Sequence, residues 1–360
     1  MDYFAKAIDL LQKLIAIPSF SNEEDKVADL WMDWLRDNNV SEVKRFHNNV
    51  YAISTYFDSE KPVLLLNSHM DTVRPVSSYT RNPFEPSIQD GRLFGLGSND
   101  AGASGVTLAQ TFLKFKDKKH LPFNILFAIT AGEESMGEWG MRSFLPYLKE
   151  IKLYPNMAIV GEPTGCEAAM AEKGLVVCDA TVDGKAGHAA RDIGVNAIYR
   201  ACEDIERIRN FKWPKTSDIL GPIKISVTMI DAGTQHNIIP DKCLYVVDLR
   251  TTDAFTNEET VKLLQSASQW SIFTPRSTRI RASVLDPTHP LCETAKSIGI
   301  KRFISPTTSD MALMYDIPSI KLGPGKSERS HTANEYIELT ELQQGLKVYE
   351  DFLIQLSRYI

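Results

Sequence analysis

The chain has 360 residues, 46 of them acidic against 40 basic, for a formal charge of −6. That length can bury a full core and leaves room for two domains. The acidic balance offers no basic footprint for nucleic acid, so the expected partner is a small molecule.

The start, Met1-Asp2-Tyr3-Phe4-Ala5-Lys6, places acidic and aromatic residues where a secretory signal carries basic charge ahead of a long apolar stretch. No apolar run reaches membrane-spanning length, so no membrane partner is expected. The five cysteines, Cys166, Cys178, Cys202, Cys243 and Cys292, show no paired spacing. They read as free thiols of a cytoplasmic protein.

The first predicted helix puts Phe4, Ile8, Leu11 and Leu14/Ile15 on one face and stops at Pro18. Ser21 with Glu24 has the spacing of a capping box, opening a second helix through Leu30, Trp31 and Leu35. Apolar runs at Leu64-Leu65-Leu66, Ile125 to Thr130 and Met157 to Val160 read as buried strands, and their alternation with helices points to a doubly wound α/β sheet. The lysine-rich stretch from Lys114 to Lys119 reads as a solvated helix end.

From about Ala171 to Leu285 the pattern changes. Strand-like segments at Leu175–Val182, Ile223–Ile230, Leu244–Arg250 and Arg279–Val284 enclose two helices, Asn196 to Arg209 and another from Asn257. Their alternation is that of a one-sided antiparallel sheet covered by helices. The expected organisation is a mostly parallel-sheet domain over residues 1–170 and 286–360, interrupted by an inserted α+β domain over 171–285.

His69, Asp100, Glu134, Glu162 and His331 each fall where a strand or glycine-rich turn ends. In an open α/β sheet, ligands gather outside the carboxyl ends of the strands, so residues distant in sequence can converge there. Two histidines and three carboxylates make a shell for a pair of zinc ions, with Co²⁺ or Mn²⁺ as substitutes, because oxygen and nitrogen donors without thiolate suit these metals. A competing reading of Gly95 to Gly105 as a phosphate cradle fails: the P-loop ending is missing, and Asp100 stands where a third glycine belongs. Asp71, two residues beyond His69, suits a carboxylate that orients the imidazole from behind.

Together, His69-Met70-Asp71, Gly97-Ser98-Asn99-Asp100, Glu133-Glu134, Gly161-Glu162-Pro163, Gly187-His188, Asp248-Leu249-Arg250, Ser309-Asp310 and His331 run through nearly the whole chain. In that order they resemble the acetylornithine deacetylase and succinyl-diaminopimelate desuccinylase family of two-metal hydrolases. The resemblance implies that Asp100 bridges two metals about 3.5–4 Å apart. His69 and Glu162 complete one metal, and Glu134 and His331 the other. It further implies a cis peptide between Asp100 and Ala101, Glu133 as general base, and an inserted lid that forms the contact of a homodimer. His188 becomes a lid histidine that stabilises the oxyanion, although the proline that relatives carry shortly afterwards is absent. Asn237, Arg250, Ser309 and the Gly323-Pro324-Gly325 loop fall at substrate-binding positions, with Lys173 a further candidate.

For Arg250 an ion pair on the lid sheet is the alternative; for Glu138 the choice is between a substrate ammonium and solvent. The function expected is a metal-dependent amidohydrolase that removes an acyl group from an amino acid, foremost acetylornithine or succinylornithine in arginine biosynthesis. Succinyl-diaminopimelate, N-acetyl-lysine and dipeptides are the alternative substrates. A non-catalytic, zinc-stabilised binding protein is the alternative class, which the presence of all five donors, Asp71 and Glu133 disfavours.

Overall fold

A computed structural model describes residues 2–191 and 193–360. The chain divides into two compact units, one of Met1–Met170, Leu285–Phe303 and Ser309–Ile360, the other of Ala171–Val284 and Ile304–Thr308.

The sheet of the first unit runs in the order Val43–Phe46, Asn49–Ile53, Asn124–Thr130, Val63–His69, Met157–Val160, Ser319–Lys321, Ala168–Glu172. Its central four strands are parallel, and antiparallel strands close either side. Every residue of Val63–His69 and of Asn124–Thr130 is buried, as expected of strands covered on both faces. Because these strands point the same way, His69, the turn after Thr130 and the Gly161-Glu162 turn after Val160 emerge at one end of the sheet. Helix Ala103–Phe115 packs against Val63–His69 and Asn124–Thr130, and against the helices Tyr3–Ile15 and Leu339–Leu356. Its small residues allow close approach: a Cβ on Gly105 would lie 3.0 Å from the Ile129 side chain.

Helix Tyr3–Ile15 is capped by Asp2, whose carboxylate accepts the N–H groups of Phe4 and Ala5. The next helix, Asp25–Asp37, departs from expectation. Glu24 stands at its N-cap without a side-chain cap, and Ser21 does not cap it either. Both side chains are committed elsewhere, to the turns of the candidate site.

In the second unit four antiparallel strands run in the order Lys224–Ala232, Lys242–Thr251, Gly174–Asp183, Ser271–Pro275. Val176, Cys178, Ala180 and Val182 face the same core as Cys243, Tyr245, Val247 and Leu249, and the helices Ala197–Arg209 and Asn257–Ala267 cover that side. Asn196 caps the first of these helices, and Thr256 with Glu259 forms a capping box on the second.

The strand expected over Arg279–Val284 shrinks to Ser283–Val284. Ahead of it the Asn257 side-chain amide donates to the carbonyls of Thr278 and Ile280, and Ile280 makes only an isolated antiparallel bridge, its carbonyl also accepting Leu175 N–H at 3.0 Å. The fourth strand is instead Ser271–Pro275, at the sheet edge, where a proline is tolerated. Among the described residues no helix is long and apolar enough to cross a membrane.

Candidate metal centre

The first unit brings His69, Asp100 and Glu162 together as one donor group and Asp100, Glu134 and His331 as a second, the donor atoms of each lying within 4.8 Å of one another. Asp100 belongs to both. Its Oδ1 lies 3.3 Å from His69 Nε2, and its Oδ2 lies 3.8 Å from His331 Nε2. Glu162 Oε1 stands 3.8 Å from His69 Nε2, and Glu134 Oε2 stands 2.9 Å from His331 Nε2.

The electrostatics are those of anions crowded into a dry place. Burial pushes the Glu162 carboxyl up to about 8, with the charges of Asp100 and Glu134 adding to the effect. Burial raises Glu133 well above the carboxylate range, reinforced by Glu162, Asp310 and Glu134. Burial works against protonation of His69, but Asp100, Asp71, Glu162 and Glu133 overcome it and raise the imidazole well above its usual value. His331 is raised to about 9, first by its hydrogen bond with Glu134. Asp100 is also buried, yet its histidine partners hold its carboxyl below the usual value. Carboxylates converging in this way need a cation among them. The donors are oxygen and nitrogen only, which fits two divalent ions of the Zn²⁺, Co²⁺ or Mn²⁺ kind.

Asp71 does more than orient an imidazole. His69 Nδ1 donates to the Asp71 backbone carbonyl at 2.9 Å, whereas the Asp71 carboxylate lies 3.5 Å away. The carbonyl thus holds the proton on Nδ1 and leaves Nε2 to face the donor group. The carboxylate accepts the backbone N–H of Glu133 at 3.0 Å and of Glu134 at 3.1 Å, together with the Ser21 hydroxyl at 2.6 Å. Glu24 takes the preceding amide, Gly132 N–H, at 3.1 Å. Three successive amides of the turn that presents Glu133 and Glu134 are thereby anchored on two buried carboxylates.

Sequence reasoning missed Glu335. This carboxylate is 2 % exposed and accepts the N–H groups of Gly97 at 2.9 Å, Asn99 at 2.8 Å and Asp100 at 2.8 Å. Burial and the Asp100 charge raise its carboxyl to about 8 against the opposing pull of those amides. The turn it holds requires a glycine at Gly97, with φ of 76°, and the peptide that follows Asp100 is cis. The available signal was an acid four residues beyond His331, directly before the strand Tyr336–Glu338.

Ser309 is fully buried, and its hydroxyl accepts Met311 N–H at the start of a short 3₁₀ turn. Gly323 was expected to offer its amide to a substrate, but its N–H is given to Thr164 Oγ1 at 3.0 Å. A Cβ there would collide with Ser104, Glu162 and Tyr349, so close packing accounts for this glycine. Gly325 adopts φ of 88° against Asn99. Glu138 is exposed.

In the second unit His188 is exposed in a two-residue ladder with Ile238, and the Asn237 carbonyl accepts Ala189 N–H. Arg250 forms two hydrogen bonds with Asp248, at 2.9 and 3.2 Å, the sheet ion pair that stood as the alternative. Lys173 donates to the Pro222 carbonyl at 2.6 Å.

Comparison with known proteins follows the same line. Residues 65–355 match Peptidase family M20/M25/M40. A succinyl-diaminopimelate desuccinylase of Wolbachia pipientis wMel is 24% identical over 368 residues, covering 96% of this chain and 92% of that protein. The aminopeptidase PepT of Bacillus cereus superposes with a TM-score of 0.78 at 20% identity, covering 98% of each chain. The Bacillus subtilis YxeP protein, a dinuclear metal binding peptidase, superposes with a TM-score of 0.75 at 15% identity over 99% of each chain. With the family matched over most of its length and two metal-donor groups assembled in its parallel-sheet unit, this chain belongs to peptidase family M20/M25/M40 and is a hydrolase of amide bonds.

Proposed function

We propose that the chain removes a dicarboxylic acyl group from an N-acylated diamino acid, of the kind represented by succinyl-diaminopimelate, with two zinc ions as cofactor. The observation that carries the two-metal part of the reading is Asp100, one oxygen turned toward each histidine, so that it can serve both donor groups. The acetylornithine deacylation first expected gives way to what was then its alternative, because curated relatives that match nearly the whole chain carry the desuccinylase name.

When bound, a pair of ions would polarise the scissile carbonyl and acidify an attacking water. His69 and Glu162 would hold one, Glu134 and His331 the other, with Asp100 common to both. Glu133 accepts the proton of the attacking water on its carboxylate and returns it to the departing amine nitrogen. Asp71 fixes the turn that aims Glu133 and keeps the His69 proton on Nδ1. His188 supplies an oxyanion donor, Arg250 exchanges Asp248 for a substrate carboxylate, and a second copy of the chain docks on the antiparallel-sheet unit.

The deciding experiment is an amine-release screen of the zinc-loaded protein against succinyl-diaminopimelate, acetyl- and succinyl-ornithine, the lysine analogues and dipeptides. Release from succinyl-diaminopimelate well ahead of the others is expected. Preference for acetylornithine restores the arginine-pathway reading, and no release from any amide removes hydrolysis of these substrates altogether.

A further inference from the structure

Asp100 and four carboxylates around it, Asp71, Glu133, Glu134 and Glu162, have a place in the mechanism. Glu335 has none, yet it is among the most completely engaged carboxyl groups in the molecule. Its Oε1 accepts from Asn99 N and Asp100 N and its Oε2 from Gly97 N, so both oxygens face one four-residue turn from across more than 230 positions of sequence. The Glu335 carbonyl continues the pattern by accepting Gly95 N–H at 3.0 Å. A buried carboxylate with this many amide donors acts as an anchor and is too committed to serve as a ligand.

We infer that Glu335 is a positioning residue that sets the shared carboxylate of Asp100, so that its loss weakens both metal positions together. The inference rests on the two-metal reading above. Holding the Asp100 amide fixes the direction in which its side chain leaves the backbone, and Asp100 is the single donor common to the two groups. Glu335 also lies four residues beyond His331, and the intervening Asn334 side chain accepts the amides of Thr80 and Arg81. A second tie joins the same two segments: Asn99 Nδ2 donates to the Lys326 carbonyl, and Lys326 N–H donates to Asn99 Oδ1. The bridging carboxylate and the His331 segment thus share one framework. Glutamine at position 335 would keep the shape but present an NH₂ donor to an amide N–H, breaking one side of the anchor.

The test uses the full-length, metal-free protein, titrated calorimetrically with Zn²⁺ and followed by the visible absorption of bound Co²⁺. Glu335→Gln and Glu335→Asp are compared with Leu356→Ala, a core truncation near the end of the C-terminal helix that lowers stability without touching the turn. Both Glu335 variants are expected to lose roughly 10–100-fold in affinity at both positions, the usual cost of removing an outer-shell partner, and to shift the Co²⁺ spectrum. Leu356→Ala keeps wild-type affinities and spectrum.

Wild-type titrations from both Glu335 variants would overturn the assignment, and so would weakening at one position alone. Should the variants fail to fold, amide exchange in the metal-free wild type decides: Gly97, Asn99 and Asp100 are expected among the slow amides, and rapid exchange there sinks the idea. A wild type that binds two ions but cleaves no amide fails the hydrolase reading while the titrations still support the role of Glu335.

Discussion

Buried carboxylates occur in both units, and the contrast between them separates structure from chemistry. In the second unit Asp204, fully buried, accepts the amides of Gln269, Trp270 and Ser271 at 2.7–2.8 Å, the Ser271 hydroxyl at 2.8 Å and Arg207 at 2.8 Å. Every lone pair it offers has a use, and it ties the helix Ala197–Arg209 to the edge strand. In the first unit Asp71 and Glu335 are satisfied in the same manner. The carboxylates of Glu134 and Glu162 are not: histidines and other carboxylates crowd them, the charge of buried Lys321 only partly offsets this at Glu162, and among the described residues no backbone amide donates to either. A carboxyl group whose oxygens the protein has filled with its own amide donors is a fastener. One left facing other anions is waiting for a cation.

The largest expected effect tests the unsatisfied side of this contrast. Glu133→Gln is expected to lower turnover by roughly 10²–10⁴-fold while metal content stays at two ions per chain, because an amide cannot accept the proton of water. Glu134→Gln or Asp100→Asn should instead lose metal, read by elemental analysis after dialysis. If Glu133→Gln lost metal and Glu134→Gln kept it, the two neighbouring glutamates would exchange roles. His188→Ala should cost roughly 10²–10³ in turnover, the usual cost of one oxyanion donor, with metal stoichiometry unchanged. Wild-type turnover in that variant removes the histidine from the reaction.

The fold class and the five donors were legible because both write themselves locally. Continuous apolar runs mark the parallel strands, a two-residue alternation marks the antiparallel sheet, and His69, Glu134 and Glu162 follow the ends of such runs while Asp100 follows a glycine-rich turn. The fasteners were not legible. Glu335 holds amides more than 230 residues away, and in Thr332-Ala333-Asn334-Glu335 it reads as a solvated acid. Ser21 and Glu24 carried a real signal, a capping-box spacing, that was consistent with a local role until Asp71 and Gly132 took up both side chains. Asn257 likewise sat at a helix start with no hint that its side chain would reach the carbonyls of Thr278 and Ile280. Side chain to backbone bonds of long reach leave no periodicity to read.

The satisfied side of the contrast is tested in the second unit. Asp204→Ala leaves three buried amides without an acceptor and is expected to destabilise this unit by about 3 kcal/mol, as when one partner of a buried charged network is removed. The sign with pH follows from the direction of its shift. Burial opposes ionisation, but the amides and hydroxyl outweigh it and hold the Asp204 carboxyl below its usual value. Its contribution is therefore fully present above the unfolded value of about 3.9 and fades as pH falls from there through the lower folded value. Wild-type denaturant midpoints should drop more steeply below about pH 4 than those of Asp204→Asn. Equal slopes would mean that the anion is not what holds the strand.

The smallest effect tests whether a fastener can reach the chemistry. Ser21 donates to Asp71 Oδ2, the same oxygen that accepts Glu134 N–H, while Oδ1 accepts Glu133 N–H. Removing the hydroxyl leaves both amide bonds in place, so Ser21→Ala should cost only about 1–2 kcal/mol of stability, the range for a hydrogen bond to a charged group. Asp71 then loses the group that fixes its rotation, and the turn carrying Glu133 and Glu134 loosens with it. A few-fold fall in kcat at unchanged KM and unchanged metal content is the expected signature, because metal and substrate still bind while the base is aimed less well. A rise in KM alone would place the effect on substrate binding. An unchanged kcat with lowered stability would show that the Asp71 anchor is complete without its hydroxyl partner, and that the two amides of the catalytic turn suffice to hold it.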